Sequence, residues 1–279
     1  MKMFDICSFI RTFASFLRNM KAKQVFDALE QYAPLPLQDG FDNAGLQIGL
    51  TEEQEVTGAL LCLDVTEAII DEAERMGCNL IVAHHPLLFR GLKQITGQSY
   101  VERCVIKAIR KGIGIYAAHT NLDNAEGGVN YRIAEKIGLE KLSFLDTKPG
   151  MSAGAGVMGE LPVAEDERDF LERLKELFGV QCLRHNRLCG RKIHRVALCG
   201  GAGGFLLSQA IAQGADAFLT GEMRYHDYFG HEGELLIAEM GHYESEQYTI
   251  DLLAEVLERR SPGLRIIKTS LNTNPINYL

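Results

Sequence analysis

The chain has 279 residues, enough for one large domain or two moderate lobes with a substantial core. Hydrophobic residues make up 46% of it and charged residues 24%, which is typical of a soluble globular protein and excludes a largely disordered chain. The net charge of -8 gives no electrostatic footprint for nonspecific binding to DNA, so nucleic acid is not an expected partner.

The residues before Met20 form an apolar N-terminal segment. Asp5 and Arg11 interrupt its hydrophobic run, so the segment is a poor signal peptide and is too short to span a membrane. Two interpretations stay open. The segment is either an appended amphipathic helix or an upstream extension of a protein whose translation starts at Met20.

The cysteines indicate the redox environment. There are seven, an odd number, and none belongs to a CxxC pair. Several, such as Cys62 and Cys199, lie in apolar stretches, where a free cysteine behaves as a small hydrophobe. This usage predicts buried thiols in a reducing compartment, and hence a cytoplasmic protein. A membrane is likewise not an expected partner.

From Met20 onward, segments typical of helices and strands alternate. A short helix over 25–32 ends before Pro34 and Pro36. Apolar strands are then predicted at 58–63, 79–83 and 114–118, and amphipathic helices at 66–77, 101–111 and 128–137. The repeated βαβ pattern predicts an α/β fold with a mostly parallel sheet.

The second half repeats this pattern after a more irregular middle region. Helices are predicted at 165–178, 205–213 and 243–259, and strands at 195–199, 216–221, 234–240 and 264–269. The glycine-rich stretch 149–156 gives the simplest boundary. We therefore predict an N-terminal extension (1–19) and two α/β lobes (20–148 and 149–279), with the C-terminal ligands returning to a site that both lobes share.

Three segments carry potential metal ligands directly after a predicted strand: AHHP (83–86), HTNLD (119–123) and GHYESE (241–246). In open parallel sheets, sites form beyond the carboxyl ends of the strands, so these segments are expected to converge there. Imidazole and carboxylate side chains bind borderline first-row cations. The three segments together predict a metalloprotein whose site lies at the carboxyl ends of the strands, between the lobes.

Local geometry agrees with a shared site. Pro86 disfavours the helical conformation at His85, so the chain leaves the strand there and both adjacent histidines can serve one site. His242 and Glu246 are four residues apart at the start of a predicted helix, so their side chains share one face of it. Each signal alone has a structural explanation, but the three together favour metal binding.

The three ligand segments also occur with FDNAGLQIG (41–49), CGGAGG (199–204) and LTGEMRYHD (219–227), in the order and at the kind of spacing seen in a known family. The chain resembles the YbgI-type dinuclear metal centre proteins, also called the Nif-three-like or GTP cyclohydrolase 1 type 2 family. The resemblance covers 20–279. Phe41 departs from the pattern, because tryptophan is expected there in many relatives.

The resemblance implies that each chain binds two divalent cations of zinc, iron, manganese or nickel, with Glu246 as a bridge. The ligands that it implies are His84, His85, Asp123, His242 and Glu246. His119 is then either a further ligand or a catalytic acid/base group beside the cluster, and we favour the catalytic role. The resemblance also implies a homohexamer.

The family name implies a hydrolase that opens the imidazole ring of GTP and releases formate, with a metal-bound hydroxide as the attacking group. The expected substrate is therefore a small molecule, in this case a nucleotide. Two alternatives stay open. One is a metal-dependent phosphoesterase in which the CGGAGG loop and Arg224 hold phosphate, and the other is a non-catalytic metal-binding scaffold or metal-handling protein.

Several other positions keep two interpretations. The CGGAGG loop is either a tight turn or an anion-binding loop. Asp42 and Asn43 either belong to a turn or face the cluster, and Asp64 is either a residue of an N-cap region or a partner of a ligand. His226 and its neighbours in LTGEMRYHD either contact substrate or form a surface network.

Overall fold

The structure, a computed structural model, describes residues 20–279, so the extension predicted for 1–19 lies outside the described residues. The chain divides into two compact units, each built from segments that are not contiguous in the sequence. The first unit contains 20–35, Phe41–His119 and Leu253–Thr273. The second contains Pro36–Gly40, Thr120–Leu252 and Asn274–Leu279.

Short strands and helices alternate along the described residues. In chain order the strands are β1 (Met20–Lys21), β2 (Gly45–Ile48), β3 (Glu55–Val56), β4 (Ala59–Cys62), β5 (Leu80–Ala83), β6 (Gly114–Ala117), β7 (Glu140–Thr147), β8 (Gly154–Asp166), β9 (Arg184–His185), β10 (Lys192–Cys199), β11 (Ala217–Thr220), β12 (Leu236–Glu239) and β13 (Ile266–Lys268). The α-helices are α1 (Ala22–Tyr32), α2 (Glu67–Arg75), α3 (Tyr100–Lys111), α4 (Thr120–Asp123), α5 (Val129–Ile137), α6 (Glu167–Phe178), α7 (Leu207–Ala212), α8 (His242–Glu246) and α9 (Thr249–Arg260). Short 3₁₀ segments lie at Leu35–Leu37, Gly203–Leu206 and Tyr225–Tyr228.

The first unit is built around a five-stranded sheet with the strand order β13-β4-β5-β6-β2. Strands β13, β4, β5 and β6 run parallel, and β2 pairs with β6 in the antiparallel direction. Every residue of β4, β5 and β6 is buried, as expected for parallel strands that are covered on both faces. This burial explains why these strands read as continuous apolar runs in the sequence.

Helices α2 and α3 pack on this sheet through apolar stripes that share one core with the strands. The hydroxyl of Thr66 caps α2 by accepting a hydrogen bond from the backbone N–H of Ile69 at 3.3 Å. Gly112 ends α3 in the left-handed conformation, with φ of 64°, which glycine adopts without steric cost. A capping residue therefore marks the start of α2, and a glycine marks the end of α3.

The second unit contains a six-stranded sheet with the order β7-β8-β10-β11-β12-β9. The pairs β10–β11 and β11–β12 are parallel, and the other three pairs are antiparallel. The α/β class predicted from the sequence is thus confirmed, with a mostly parallel sheet in the first unit and a mixed sheet in the second. The antiparallel pair β7–β8 occupies the region that appeared irregular in the sequence, because Leu145 alone is buried among the eight residues of β7.

Several helices differ in their bounds from the prediction. The helix predicted at 25–32 begins earlier, at Ala22. The helix predicted at 165–178 begins at Glu167, because residues 165–166 still pair with β10. The helix predicted at 243–259 is divided into α8 and α9. The helix predicted at 205–213 is a 3₁₀ segment followed by the short α7. Within 20–279, no helix combines the length and the apolar character needed to cross a bilayer.

Candidate metal centre

His84 and His85 follow the buried strand β5. Their backbone N–H groups donate to the carbonyls of Cys62 and Leu63, at 3.2 Å and 2.9 Å. The segment after β5 therefore still runs beside the segment after β4. His84 is completely buried, and its Nδ1 lies 2.8 Å from the carbonyl oxygen of Ala118. Because a carbonyl only accepts, Nδ1 carries the hydrogen and Nε2 has the lone pair that a metal needs.

His85 is held by a carboxylate. Its Nδ1 lies 2.8 Å from Asp64 Oδ1, and Asp64 lies two residues beyond the end of β4. Burial raises the pKa of the Asp64 carboxyl, but hydrogen bonds from His85 and Thr273 outweigh this effect and hold that pKa below its ordinary value. A carboxylate that orients an imidazole in this way is the usual partner of a metal-binding histidine, so Asp64 orients a candidate ligand.

His119 is held in the same way by Asp42. Its Nδ1 lies 2.7 Å from Asp42 Oδ1, and the Asp42 side chain has 0% exposure to solvent. The neighbouring Asn43 faces elsewhere, since its Nδ2 donates to the carbonyl of Leu88 at 2.7 Å. Of the two positions that the sequence left open, Asp42 therefore contacts the histidine cluster, whereas Asn43 binds the backbone of the segment that follows β5.

These three histidines form a compact imidazole triad. The ring centroids of His84 and His85 are 4.8 Å apart, and those two rings lie 5.3 Å and 5.6 Å from the ring of His119. One ligand atom from each ring lies within 4.8 Å of the others. Three imidazoles in this arrangement fit a cation such as zinc or iron(II).

A second set of potential ligands lies in the second unit. His242 and Glu246 begin and end the short helix α8, and His242 Nε2 is 3.1 Å from Glu246 Oε2. The other ring nitrogen, Nδ1, is 2.9 Å from Glu222 Oε1. Glu246 is buried, whereas Glu222 is exposed. His242 is thus the third imidazole that a carboxylate orients through Nδ1, which again fits a metal ligand.

The glycines of the CGGAGG loop make room for Glu246. Gly201 has φ of 58°, and a Cβ there would overlap Glu246 Oε1 and lie 3.2 Å from its Cδ. Two N–H groups of the loop already donate hydrogen bonds within the protein. Gly200 donates to Asn130 Oδ1 at 2.9 Å, and Gly201 donates to Ser245 Oγ at 3.0 Å. The structure therefore favours the tight-turn interpretation of this loop over an anion-binding one.

Asp123 lies in the same unit, at the end of α4. Its backbone carbonyl accepts a hydrogen bond from Asn130 Nδ2 at 3.1 Å. Burial raises the pKa of the Cys199 thiol, and the negative charges of Asp123 and Glu246 raise it further. Both carboxylates thus lie near one buried thiol, and Asp123 belongs with Glu246 among the candidate ligands of this unit.

His226 and its neighbours line a groove of about 990 Å³ in the second unit. The His226 ring lies 5.2 Å from the ring of Tyr225, which is exposed. Glu222 also lines the groove, so the residue that orients His242 faces it as well. Sequence reasoning did not assign Glu222 this orienting role. The signal available was its position two residues after β11, the same position that Asp64 has relative to β4.

Comparisons with known proteins show which sequences this chain is similar to. The sequence model of the family described as Duf34/NIF3 (NGG1p interacting factor 3) matches residues 20–275. A Clostridium perfringens protein named GTP cyclohydrolase 1 type 2 homolog is 35% identical over 265 residues, which cover 93% of this chain and 100% of that protein. A Schizosaccharomyces pombe protein named Protein NIF3 homolog is 29% identical over 276 residues, which cover 93% of this chain and 97% of that protein.

Solved structures are similar over the same length. A crystal structure of a Staphylococcus aureus hypothetical protein has a TM-score of 0.86 at 28% identity, covering 94% of this chain and 100% of that one. A crystal structure of a Bacillus cereus protein related to NIF3 has a TM-score of 0.83 at 24% identity, with the same coverage, and shows the likeness of fold alone.

Proposed function

The chain belongs to the Duf34/NIF3 family, and from this premise we propose that it is a dinuclear metal-dependent hydrolase of the GTP cyclohydrolase type. The observation that carries the proposal is the imidazole triad of His84, His85 and His119, two members of which are oriented by carboxylates. The reaction class is taken from the names of relatives that match almost the whole chain.

In this proposal five side chains hold two divalent cations. They are His84, His85, Asp123, His242 and Glu246. Mixed imidazole and carboxylate ligation suits zinc, iron(II), manganese or nickel. Such a pair of cations, when bound, lowers the pKa of a water molecule and stabilises the negative charge that develops on an attacked substrate.

His119 is proposed as the acid/base group. Its pairing with the buried carboxylate of Asp42 fixes the orientation of the ring and keeps the hydrogen on Nδ1, so that Nε2 is the atom that exchanges a proton, as in a His–Asp pair. In the opening of the guanine imidazole ring, a proton has to reach the departing nitrogen. A histidine beside the cluster can receive a proton from water and then deliver it there.

The glycine loop bears on the phosphoesterase alternative. That alternative needs backbone N–H groups of the CGGAGG loop to face a phosphate. The N–H groups of Gly200, Gly201 and Gly203 instead donate to side-chain oxygens of the protein. We therefore place ring hydrolysis ahead of phosphoester hydrolysis, with a small nucleotide as the proposed substrate.

The test is formate released from GTP by protein that has been reconstituted with zinc, manganese or iron(II). Glu246→Gln is the key variant, because it removes the charge of a buried ligand and keeps its shape. Glu176→Ala is the matched control, since that glutamate lies exposed on α6. We expect metal-dependent formate from the wild type and the control, and loss of formate in Glu246→Gln and after chelation.

Each other outcome points to a different function. Phosphate release without formate would replace the proposal with a phosphoesterase. Stoichiometric metal binding with no turnover of GTP or phosphoesters would identify a scaffold or metal-handling protein. His119→Ala separates the two roles of that residue: an acid/base group loses turnover and keeps both metals, whereas a ligand loses metal. The proposed homohexamer predicts six chain masses by light scattering.

A further inference from the structure

Two consecutive residues near the C terminus, Thr273 and Asn274, contact groups that position the proposed metal ligands. They follow β13 and belong to no helix or strand. Thr273 ends the last segment of the first unit, and Asn274 begins the last segment of the second. Each makes its contact within its own unit, and the peptide bond between them links the two contacts.

Thr273 acts on the imidazole triad through Asp64. Its hydroxyl donates to Asp64 Oδ2 at 2.9 Å, while Asp64 Oδ1 pairs with Nδ1 of His85 at 2.8 Å. The carboxylate is therefore held from both sides, with the histidine on one oxygen and the threonine on the other. A carboxylate fixed in this way holds the imidazole ring in one orientation, because it cannot rotate without breaking the second hydrogen bond.

Asn274 acts on helix α8 through Glu244. Its Nδ2 donates to Glu244 Oε1 at 2.9 Å, and its own Oδ1 accepts from the backbone N–H of Ile276 at 3.0 Å, which fixes the amide. The Glu244 carboxyl lies over Gly241, where a Cβ would be 2.9 Å from Glu244 Cδ. Asn274 thus secures the start of the helix that carries His242 and Glu246.

We propose that Thr273 and Asn274 are positioning residues for the metal centre, one fixing the support of His85 and the other fixing the start of α8. The inference rests on the metal centre of the proposed function and goes beyond it, since nothing in that function requires the C-terminal segment.

The test measures metal affinity by competition with a chelator, together with the visible absorption of the cobalt(II)-substituted protein. Thr273→Val removes the hydroxyl and keeps the shape, and Thr273→Ser restores the hydroxyl. Asn274→Ala removes the contact with Glu244. The matched control is Thr269→Val. The Thr269 hydroxyl also donates to a carboxylate, that of Glu72, but Glu72 orients none of the proposed ligands.

We expect Thr273→Val and Asn274→Ala to weaken metal binding about 10-fold, at the lower end of the range for partners of metal ligands, and to change the cobalt(II) spectrum. Thr273→Ser should restore both. In an Asp64→Ala background, Thr273→Val should have no further effect on affinity, because the threonine acts through that carboxylate.

Wild-type affinity and spectrum in both Thr273→Val and Asn274→Ala would overturn the inference, as would an equal loss of affinity in Thr269→Val. Failure of the wild type to bind any of the metals would instead overturn the proposed function. These results are distinguishable because the wild-type titration comes first and requires no turnover.

Discussion

Substitution of Gly201 by alanine tests whether the glycine loop shapes the ligand set. Gly201 has φ of 58°, a conformation that costs a residue with a Cβ roughly 1–2 kcal/mol. The added methyl would also overlap Glu246 Oε1 and lie 3.3 Å from His242 Cε1. Glu246 is buried, so its carboxyl has to move away from its present position beside His242.

Gly179→Ala separates these two effects. Gly179 has φ of 64° at the end of α6, and an added Cβ there has no neighbour within 4 Å. Both substitutions should therefore lower the free energy of unfolding by roughly 1–2 kcal/mol. Only Gly201→Ala should also weaken metal binding, by about 10-fold or more, because it displaces a ligand as well as straining the backbone.

The assay is urea unfolding of both variants without metal, followed by a chelator competition for the affinity. A stability loss in Gly201→Ala at least as large as that in Gly179→Ala, with a loss of affinity confined to Gly201→Ala, would agree with the geometry. If Gly201→Ala bound metal as tightly as Gly179→Ala, the contact between the loop and Glu246 would not position a ligand, and the reasoning would be refuted.

Three further predictions concern single groups. Asp64→Asn should weaken metal binding about 10–100-fold while the protein stays folded, as measured by chelator competition and circular dichroism. Hydrogen bonds from the backbone and hydroxyl of Thr96 lower the pKa of Glu102 to about 2. The pKa of a glutamate in the unfolded chain is about 4.3. The stability that this carboxylate contributes is therefore complete above that pH and is lost as the pH falls toward 2. Glu102→Gln should accordingly flatten the acid side of a plot of the unfolding midpoint against pH. Iodoacetamide should label the exposed Cys182 in the native protein and Cys199 only after unfolding, because burial raises the pKa of the latter thiol; peptide mass mapping reports which is modified.

Much of the candidate site was predictable because its residues follow strands that the sequence reveals. Strands β5 and β12 are completely buried, so they appear as apolar runs, and His84 and His242 come directly or almost directly after them. Glu246 could be grouped with His242 because a spacing of four residues places both on one face of a helix. The family resemblance, confirmed by the match over 20–275, added Asp123 as a predicted ligand.

The partners of these histidines could not be predicted in the same way. Asp42 is 77 residues from His119 in the chain, and the choice between it and Asn43 depends on which side chain the turn directs inward. Gly201 and Glu246 come together only because the loop after β10 packs against α8. No pattern within a short window of sequence encodes such pairs.

By itself the sequence determined the α/β class, most of the buried strands and the positions of the candidate ligand residues, because burial and helical spacing leave local periodic signals. Only the tertiary structure decided that β13 joins the sheet of the first unit beside β4, and which carboxylate orients which imidazole. Those pairings join residues that are distant in the chain, and they form because packing of the whole unit brings a donor and an acceptor within hydrogen-bond distance.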